Sequence, residues 1–245
     1  MSSAGPFPLI RPLAIPVEHG AWGFLLEPIA LGLLIAPSLA GVAIAIGTLA
    51  FFLVRQPLKL LLYDWAKKKS YPRTRSCELL VAVYSIAAVI TFAAAFSRAL
   101  VPLLFAVPFG AVQFIYDYRK QSRALISELC GAIAPAPVIA AILLAGGKST
   151  SIAVAFAALV LARSIPAVLY VRSILRGESR AVMLTAHAIA VGVGAFTFPL
   201  AVIPTAALFA RAIVPVHGVR AQTLGMREIG WGAMFVVLTA VAFYS

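Results

Sequence analysis

Acidic residues are scarce in this chain, with 8 Asp and Glu among 245 residues against 20 Lys and Arg. A soluble domain devotes about a quarter of its residues to charges; here the charged share is 11%. That is too little polar surface to wrap a water-soluble fold around the 62% of residues that are hydrophobic. Cysteine is nearly absent as well. Cys77 and Cys130 stand at or inside apolar stretches, with no C-x-x-C, haem-attachment or zinc spacing, so neither a disulfide framework nor a metal site is expected. No linker, low-complexity tract or soluble tail breaks the sequence, and one integral membrane domain over residues 1–245 is expected. The first residues, Met1 to Pro8, lack the compact basic and apolar regions of a cleaved signal peptide. The first apolar run therefore reads as a permanent span.

What fills the chain instead is apolar sequence, with a mean hydropathy of +1.02. A membrane-spanning helix needs about 20 mainly apolar residues. By that measure nine segments stand out, at about 20–37, 40–64, 78–97, 99–117, 125–146, 150–172, 181–197, 199–215 and 229–244. The expected fold is all-α, a polytopic bundle of about nine transmembrane helices. The seventh and eighth segments run together, and Phe198-Pro199 marks the expected break or kink. The run Gly192-Val193-Gly194 is expected to let helices approach closely in lipid.

The formal net charge of +12 would suit a nucleic-acid partner by sign alone. Its distribution argues against one. Lys67, Lys68, Lys69, Arg73 and Arg75 follow the second segment; Arg119, Lys120 and Arg123 the fourth; Arg172, Arg176 and Arg180 the sixth; Arg220 and Arg227 the eighth. The alternate loops hold Arg98 and Lys148 and little else. This is the asymmetry of the positive-inside rule. It implies a multi-pass protein of the inner (plasma) membrane with a cytoplasmic N-terminus, partnered by the lipid bilayer and not by nucleic acid.

Ionisable side chains within apolar segments are expensive and are functional candidates by default. Glu27 lies inside the first segment, beyond Glu18-His19-Gly20-Ala21-Trp22-Gly23. Arg55, Lys59 and Tyr63 fall at i, i+4 and i+8 of the second, on one helix face, with Asp64 beside them. Two cations on one buried face repel each other and need a shared anion, although snorkelling to the headgroups would also relieve them. Arg163 lies well within the sixth segment, followed by Tyr170, Arg172, Arg176 and Glu178. Asp117 and Glu128 flank the fourth charged loop. His187, Arg211 and His217 come later, and a lone histidine in an apolar helix reads first as a satisfied polar contact.

The stretch Pro16 to Gly23, with Arg55-Gln56-Pro57-Leu58 and Leu224-Gly225-Met226-Arg227-Glu228, resembles the YwiC-like family of bacterial membrane proteins. A more distant similarity is to UbiA-type intramembrane prenyltransferases. Arg11-Pro12 precedes the first span as in that family, and Tyr118 to Pro135 looks like the loop into its fifth helix. The resemblance implies a UbiA-like nine-helix bundle. It also implies Asp-rich motifs at the cytoplasmic ends of the second and sixth helices, where magnesium holds a prenyl diphosphate. The matching stretches here, Arg55 to Asp64 and Arg163 to Glu178, contain only Asp64 and Glu178 as acids and offer Arg and Lys instead.

Two readings follow. In the first, a divergent UbiA-like enzyme acts on an anionic or isoprenoid-type lipid without metal. His19, Arg55, Lys59, Arg163, Tyr170 and Arg172 would bind it, and Glu27, Asp64, Asp117 or Glu128 would serve as general acid or base. In the second, the protein is a non-catalytic transporter or membrane accessory protein. Both readings expect one basic cavity, opening to the cytoplasmic side or laterally to lipid and lined by Arg55, Lys59, Arg163 and Arg172. No cofactor and no oligomeric state follow from the sequence.

Overall fold

The computed structural model describes residues 11–14, 19–214, 216 and 218–245. The described helices are α1 (Arg11–Ala14), α2 (His19–Ile35), α3 (Leu39–Ala66), α4 (Thr74–Ala94), α5 (Leu103–Tyr118), α6 (Leu125–Ile133), α7 (Ala136–Ala145), α8 (Thr150–Arg176), α9 (Arg180–Thr197), α10 (Val202–Ile213) and α11 (Ala221–Tyr244). Short 3-10 turns, Arg98–Leu100 and Pro199–Ala201, lead into α5 and α10. The fold is all-α as the sequence implies, 84% helical, with no strand among the described residues.

Among the described residues seven segments are long and apolar enough to cross a membrane: 39–66, 74–94, 98–118, 125–145, 150–176, 180–197 and 221–244. The other two apolar segments form shorter helices, Ala21–Ile35 and Pro199–Ile213. At 1.5 Å per residue, such a helix reaches about 22 Å of the roughly 30 Å hydrocarbon layer. The nine segments of the sequence are thus seven full-length candidates and two short helices.

Local chemistry sets the boundaries. Ser38 accepts a hydrogen bond from the Gly41 amide at 2.9 Å and caps α3. Ser149 and Ser179 cap α8 and α9 in the same way. Phe198 is extended (φ −158°, ψ 152°), as a residue before proline prefers, and this ends α9 at the expected place. Pro135 divides the fifth segment into α6 and α7. Gly194 meets the Ala201 carbonyl oxygen so closely that a Cβ there would sit 2.7 Å from it, whereas Gly192 faces open space. Only one of the two glycines therefore brings helices together.

One boundary differs markedly. The sequence puts Arg227 in a loop and starts the last span near 229, yet α11 begins at Ala221 and carries both Arg227 and Glu228 inside the helix. Leu224, Glu228, Gly232, Phe235 and Thr239 recur at helical spacing on its buried side, with Leu224, Phe235 and Thr239 at 1% exposure or less. A charge count ends the helix early because it cannot see that Glu228 meets cations within the bundle.

The core lies around α7, whose residues from Val138 to Leu143 are all buried. On one side α7 packs with Leu31, Phe156, Leu159 and Phe235 of α2, α8 and α11. On the other it meets Leu25 and Ile44 of α2 and α3. Large apolar side chains such as Phe51, Leu104, Phe105 and Phe196 are exposed outward, as lipid-facing residues are.

Candidate functional site

Connecting turns bring the charged chain segments to one end of the bundle. Lys67 to Arg73, Arg119 to Arg123 and Arg176 to Arg180 all lie there, and Arg180 donates to the Ile213 carbonyl at the end of α10. At the opposite end the Tyr244 hydroxyl donates to the carbonyls of Leu34 and Ile35 at 3.1 and 3.0 Å, so α2 and α11 finish together.

The candidate cations are each met by carboxylates of the chain itself. They form four clusters, each holding its cations against carboxylates. In the deepest, α8 supplies Arg163, which is 2% exposed. Its Nη2 donates to Glu27 Oε1 of α2 at 3.3 Å and to the Glu228 backbone carbonyl of α11 at 2.9 Å. Its Nη1 lies 3.5 Å from Glu228 Oε2. Glu228 Oε1 in turn accepts from Arg211 Nη1 of α10. The chain Glu27–Arg163–Glu228–Arg211 therefore links four helices and sums to zero formal charge. The Arg211 guanidinium lies over the Tyr170 ring, 3.9 Å from its centroid, and 5.5 Å from that of Trp231.

Gly232 makes room for this network. A Cβ on it would stand 1.8 Å from Glu27 Oε1 and 2.5 Å from the carboxyl carbon, so only glycine admits the Glu27 side chain at this place. Hydrogen bonding within the network is incomplete. Arg163 Nε and Nη1, Arg211 Nε and Nη2, and Glu228 Oε2 are buried without a hydrogen-bond partner among the described residues.

The second cluster joins α3 to α5. Arg55 Nε donates to Asp117 Oδ2 at 3.1 Å, and Lys59 Nζ lies 3.1 Å from both oxygens of the same carboxylate. Asp117 is the shared anion that two cations at i and i+4 require. Tyr63, one turn further on, stacks on Tyr118 with ring centroids 4.6 Å apart and donates to the Tyr118 carbonyl.

In the third cluster Asp64 accepts from Arg73 at 2.7 Å and from the Thr74 hydroxyl at 2.8 Å, tying the end of α3 to the start of α4. The hydrogen bond to Asp64 raises the Arg73 pKa above its ordinary value. In the fourth, Arg172 spans Glu178 and Glu128, with Nε at 2.8 Å from both Glu178 oxygens and Nη1 at 2.6 Å from Glu128 Oε2. Arg176 adds a 2.9 Å bond to Glu128 Oε1. The Arg172 guanidinium holds the Glu178 carboxyl below the usual glutamate range.

The candidate residues are thus divided among the four clusters. Arg163, Glu27 and Tyr170 belong to the deep network; Arg55, Lys59 and Asp117 to the second cluster; Asp64 to the third; Arg172 and Glu128 to the fourth. The side chains of His19 and His217 lie outside the described residues. His187 is buried, its Nδ1 2.9 Å from the Met183 carbonyl one turn back, which is the local polar contact expected of it. Two of the grooves among the described residues have volumes of about 650 and 570 Å³, one beside Arg98 and Thr150 and the other between α3 and α5. Neither is lined by Arg55, Lys59, Arg163 or Arg172.

Two members of the deep network, Glu228 and Gly232, escape the sequence reading as site residues, while Arg211 is noted in its apolar segment without a ligand role. The signal that would have found them is the stripe from Leu224 to Thr239, once the helix is started at Ala221.

Charge bookkeeping limits the chemistry. Six of the eight acids in the chain are spent in these four clusters: Glu27, Asp64, Asp117, Glu128, Glu178 and Glu228. Magnesium needs carboxylate oxygens that are free to coordinate. Asp64 and Glu178, the acids at the two stretches where UbiA-type enzymes hold magnesium, are each engaged by an arginine. Among the described residues no three His, Cys, Asp or Glu side chains gather as a metal ion requires. These residues do not fit a magnesium pair.

The family model described as YwiC-like protein matches residues 15–142, which include Glu27, Arg55, Lys59, Asp64, Asp117 and Glu128. No curated protein and no solved structure matches the chain.

Proposed function

The chain belongs to the YwiC-like family, and on that premise we propose that it binds an anionic or isoprenoid-type lipid ligand, without metal, at the deep network of Arg163 and Arg211. The observation that carries this reading is the set of unspent donors. Arg163 Nε and Arg211 Nε and Nη2 are buried with no hydrogen-bond partner among the described residues. An unsatisfied buried donor costs about 1–3 kcal/mol, and more on a charged group. A phosphate or carboxylate head beside these two arginines would satisfy several donors at once, and guanidinium geometry suits such oxygens. Tyr170 and Glu228 fix the Arg211 plane on two sides, which supports a preorganised seat.

Binding without turnover, as in a carrier or accessory protein, is the better supported form. The carboxylates that a UbiA-like enzyme would use as general acid or base, Glu27, Asp64, Asp117 and Glu128, each engage an arginine or lysine. The crowding of cations at one end of the bundle supports a cytoplasmic N-terminus in the inner (plasma) membrane. A reporter fused within the loop after α3 should then report the cytoplasm.

Native mass spectrometry of the purified protein tests the reading. An anionic adduct should co-purify and persist in excess EDTA. Loss of the adduct on chelation, with recovery on adding magnesium, would show that metal and not guanidinium holds it.

A further inference from the structure

Two lysines occupy backbone positions that normally belong to glycine. Lys68 has φ 51° and Lys120 has φ 60°, and they are the non-glycine residues with positive φ among those described. Each follows the last turn of a helix in the same hydrogen-bond pattern. After α3, Lys68 N bonds to Trp65 O at 2.9 Å and Lys69 N to Asp64 O at 3.1 Å. After α5, Lys120 N bonds to Asp117 O at 3.0 Å and Gln121 N to Tyr116 O at 2.8 Å. This is the Schellman closure, whose left-handed residue is usually glycine because a Cβ is strained there. The chain follows that preference elsewhere: Gly177, with φ 66°, closes α8. Backbone strain of this kind clusters at functional sites such as ligand clamps.

The two helices so ended are the pair that flanks one groove. It has a volume of about 570 Å³ and is lined by Leu62 and Trp65 of α3 and Phe114, Ile115 and Tyr118 of α5, with Arg119 at its charged end. Trp65 and Ile115 are 57% and 47% exposed, so the groove opens outward to the lipid. The Tyr63–Tyr118 stack bridges the helices beneath it. A helix C-terminus favours a cation, but Lys67 and Arg119, the cap residues just before, already supply one to each helix. Lys68 and Lys120 are both exposed and follow within two residues of the ends of the two helices that line the groove.

We propose that this groove seats an anionic phospholipid of the surrounding bilayer, one acyl chain lying along Leu62, Trp65, Phe114 and Ile115 and the phosphate held by Lys68, Lys120 and Arg119. Charge complementarity selects this occupant: an apolar trough with Arg119 in its lining, and with Lys68 and Lys120 just past the ends of its two helices, matches an acyl chain that ends in an anion. The site is separate from the deep arginine network and does not rest on that reading.

The test uses Trp65 as the reporter. The full chain is reconstituted in phosphatidylcholine vesicles that contain the same fraction of either brominated phosphatidylglycerol or brominated phosphatidylcholine. A matched Trp65→Phe variant isolates the part of the quenching that comes from Trp65. That part should be at least twofold larger with the brominated anionic lipid. The preference should vanish in Lys68→Gly/Lys120→Gly, which should melt at the same or a higher temperature because glycine suits both positions. It should survive in Lys68→Arg/Lys120→Arg and in Arg211→Lys. Equal quenching by the two lipids in the unaltered protein overturns the proposal. So does a preference that persists in the glycine variant.

Discussion

The deep network and the Arg172 cluster use the same chemistry at two depths. Both pair two arginines with two glutamates: Arg163 and Arg211 with Glu27 and Glu228, Arg172 and Arg176 with Glu128 and Glu178. In the deep group the arginine side chains are 1% and 6% exposed, while Arg176, Glu128 and Glu178 are each about a third exposed. The outer group satisfies its partners well, with the Arg172 guanidinium donating to two carboxylates and to the Arg123 carbonyl. The deep group leaves donors unmade and needs a glycine to fit. Where water is near, an ion pair closes well and matters little. Where water is excluded, it is sterically tight, incompletely bonded and costly to disturb.

The largest expected effect comes from leaving a deep charge alone. Arg163→Ala should destabilise the protein by about 3–5 kcal/mol, because Glu27 and Glu228 stay buried without it. Thermal melting in detergent reads this. Replacing Glu27 and Arg163 together with Leu and Met should recover most of the loss, since an apolar pair of similar size is often neutral. Next comes Gly232→Ala, which must push the Glu27 carboxyl away from Arg163 and should cost about 1–3 kcal/mol. Its cost should shrink sharply in a Glu27→Ala background, because both changes act on one contact. Additive losses would place the damage elsewhere.

The outer group should respond weakly. Arg176→Ala should change stability by no more than about 1 kcal/mol, as for exposed pairs. Glu178 offers the smallest effect and a pH signature. Its pKa lies below the ordinary 4.5, because Arg172 favours the ionised form. Its contribution is therefore present above about pH 4.5 and is lost as pH falls through the lower, folded-state value. Glu178→Gln should flatten the melting temperature against pH in that acidic window. An acid-side slope left unchanged by Glu178→Gln would assign it to other carboxylates.

Much of the architecture was legible in the sequence, because apolar length and Pro or Ser punctuation are local signals. The break at Phe198-Pro199 follows from the residue before proline. The pairing demand of Arg55 and Lys59 follows from their i, i+4 spacing, and Asp117 meets it from 58 residues or more along the chain. Depth and partner choice were not legible. Arg163 reads as one of four cations around a shared cavity, yet its carboxylates come from Glu27 and from Glu228. Such pairing depends on which helices touch, and hydropathy carries no record of that. Glu228 was also hidden by its own charge, which ends an apolar window before α11 properly begins. Tyr170 lies about two turns from Arg163 in the helix, at i+7, but it serves Arg211 of α10 and not the nearer Arg172.

The measurement that bears most directly on the account is retention of the co-purifying anion, by native mass spectrometry, in Arg211→Lys beside Arg176→Ala. Lysine keeps the charge opposite Glu228 and so protects the fold, but it removes the planar donors. Occupancy should fall tenfold or more in Arg211→Lys, in line with the loss of about 1.4 kcal/mol or more, and stay unchanged in Arg176→Ala. Full occupancy in Arg211→Lys, or equal loss in both variants, would contradict a guanidinium seat in the deep network.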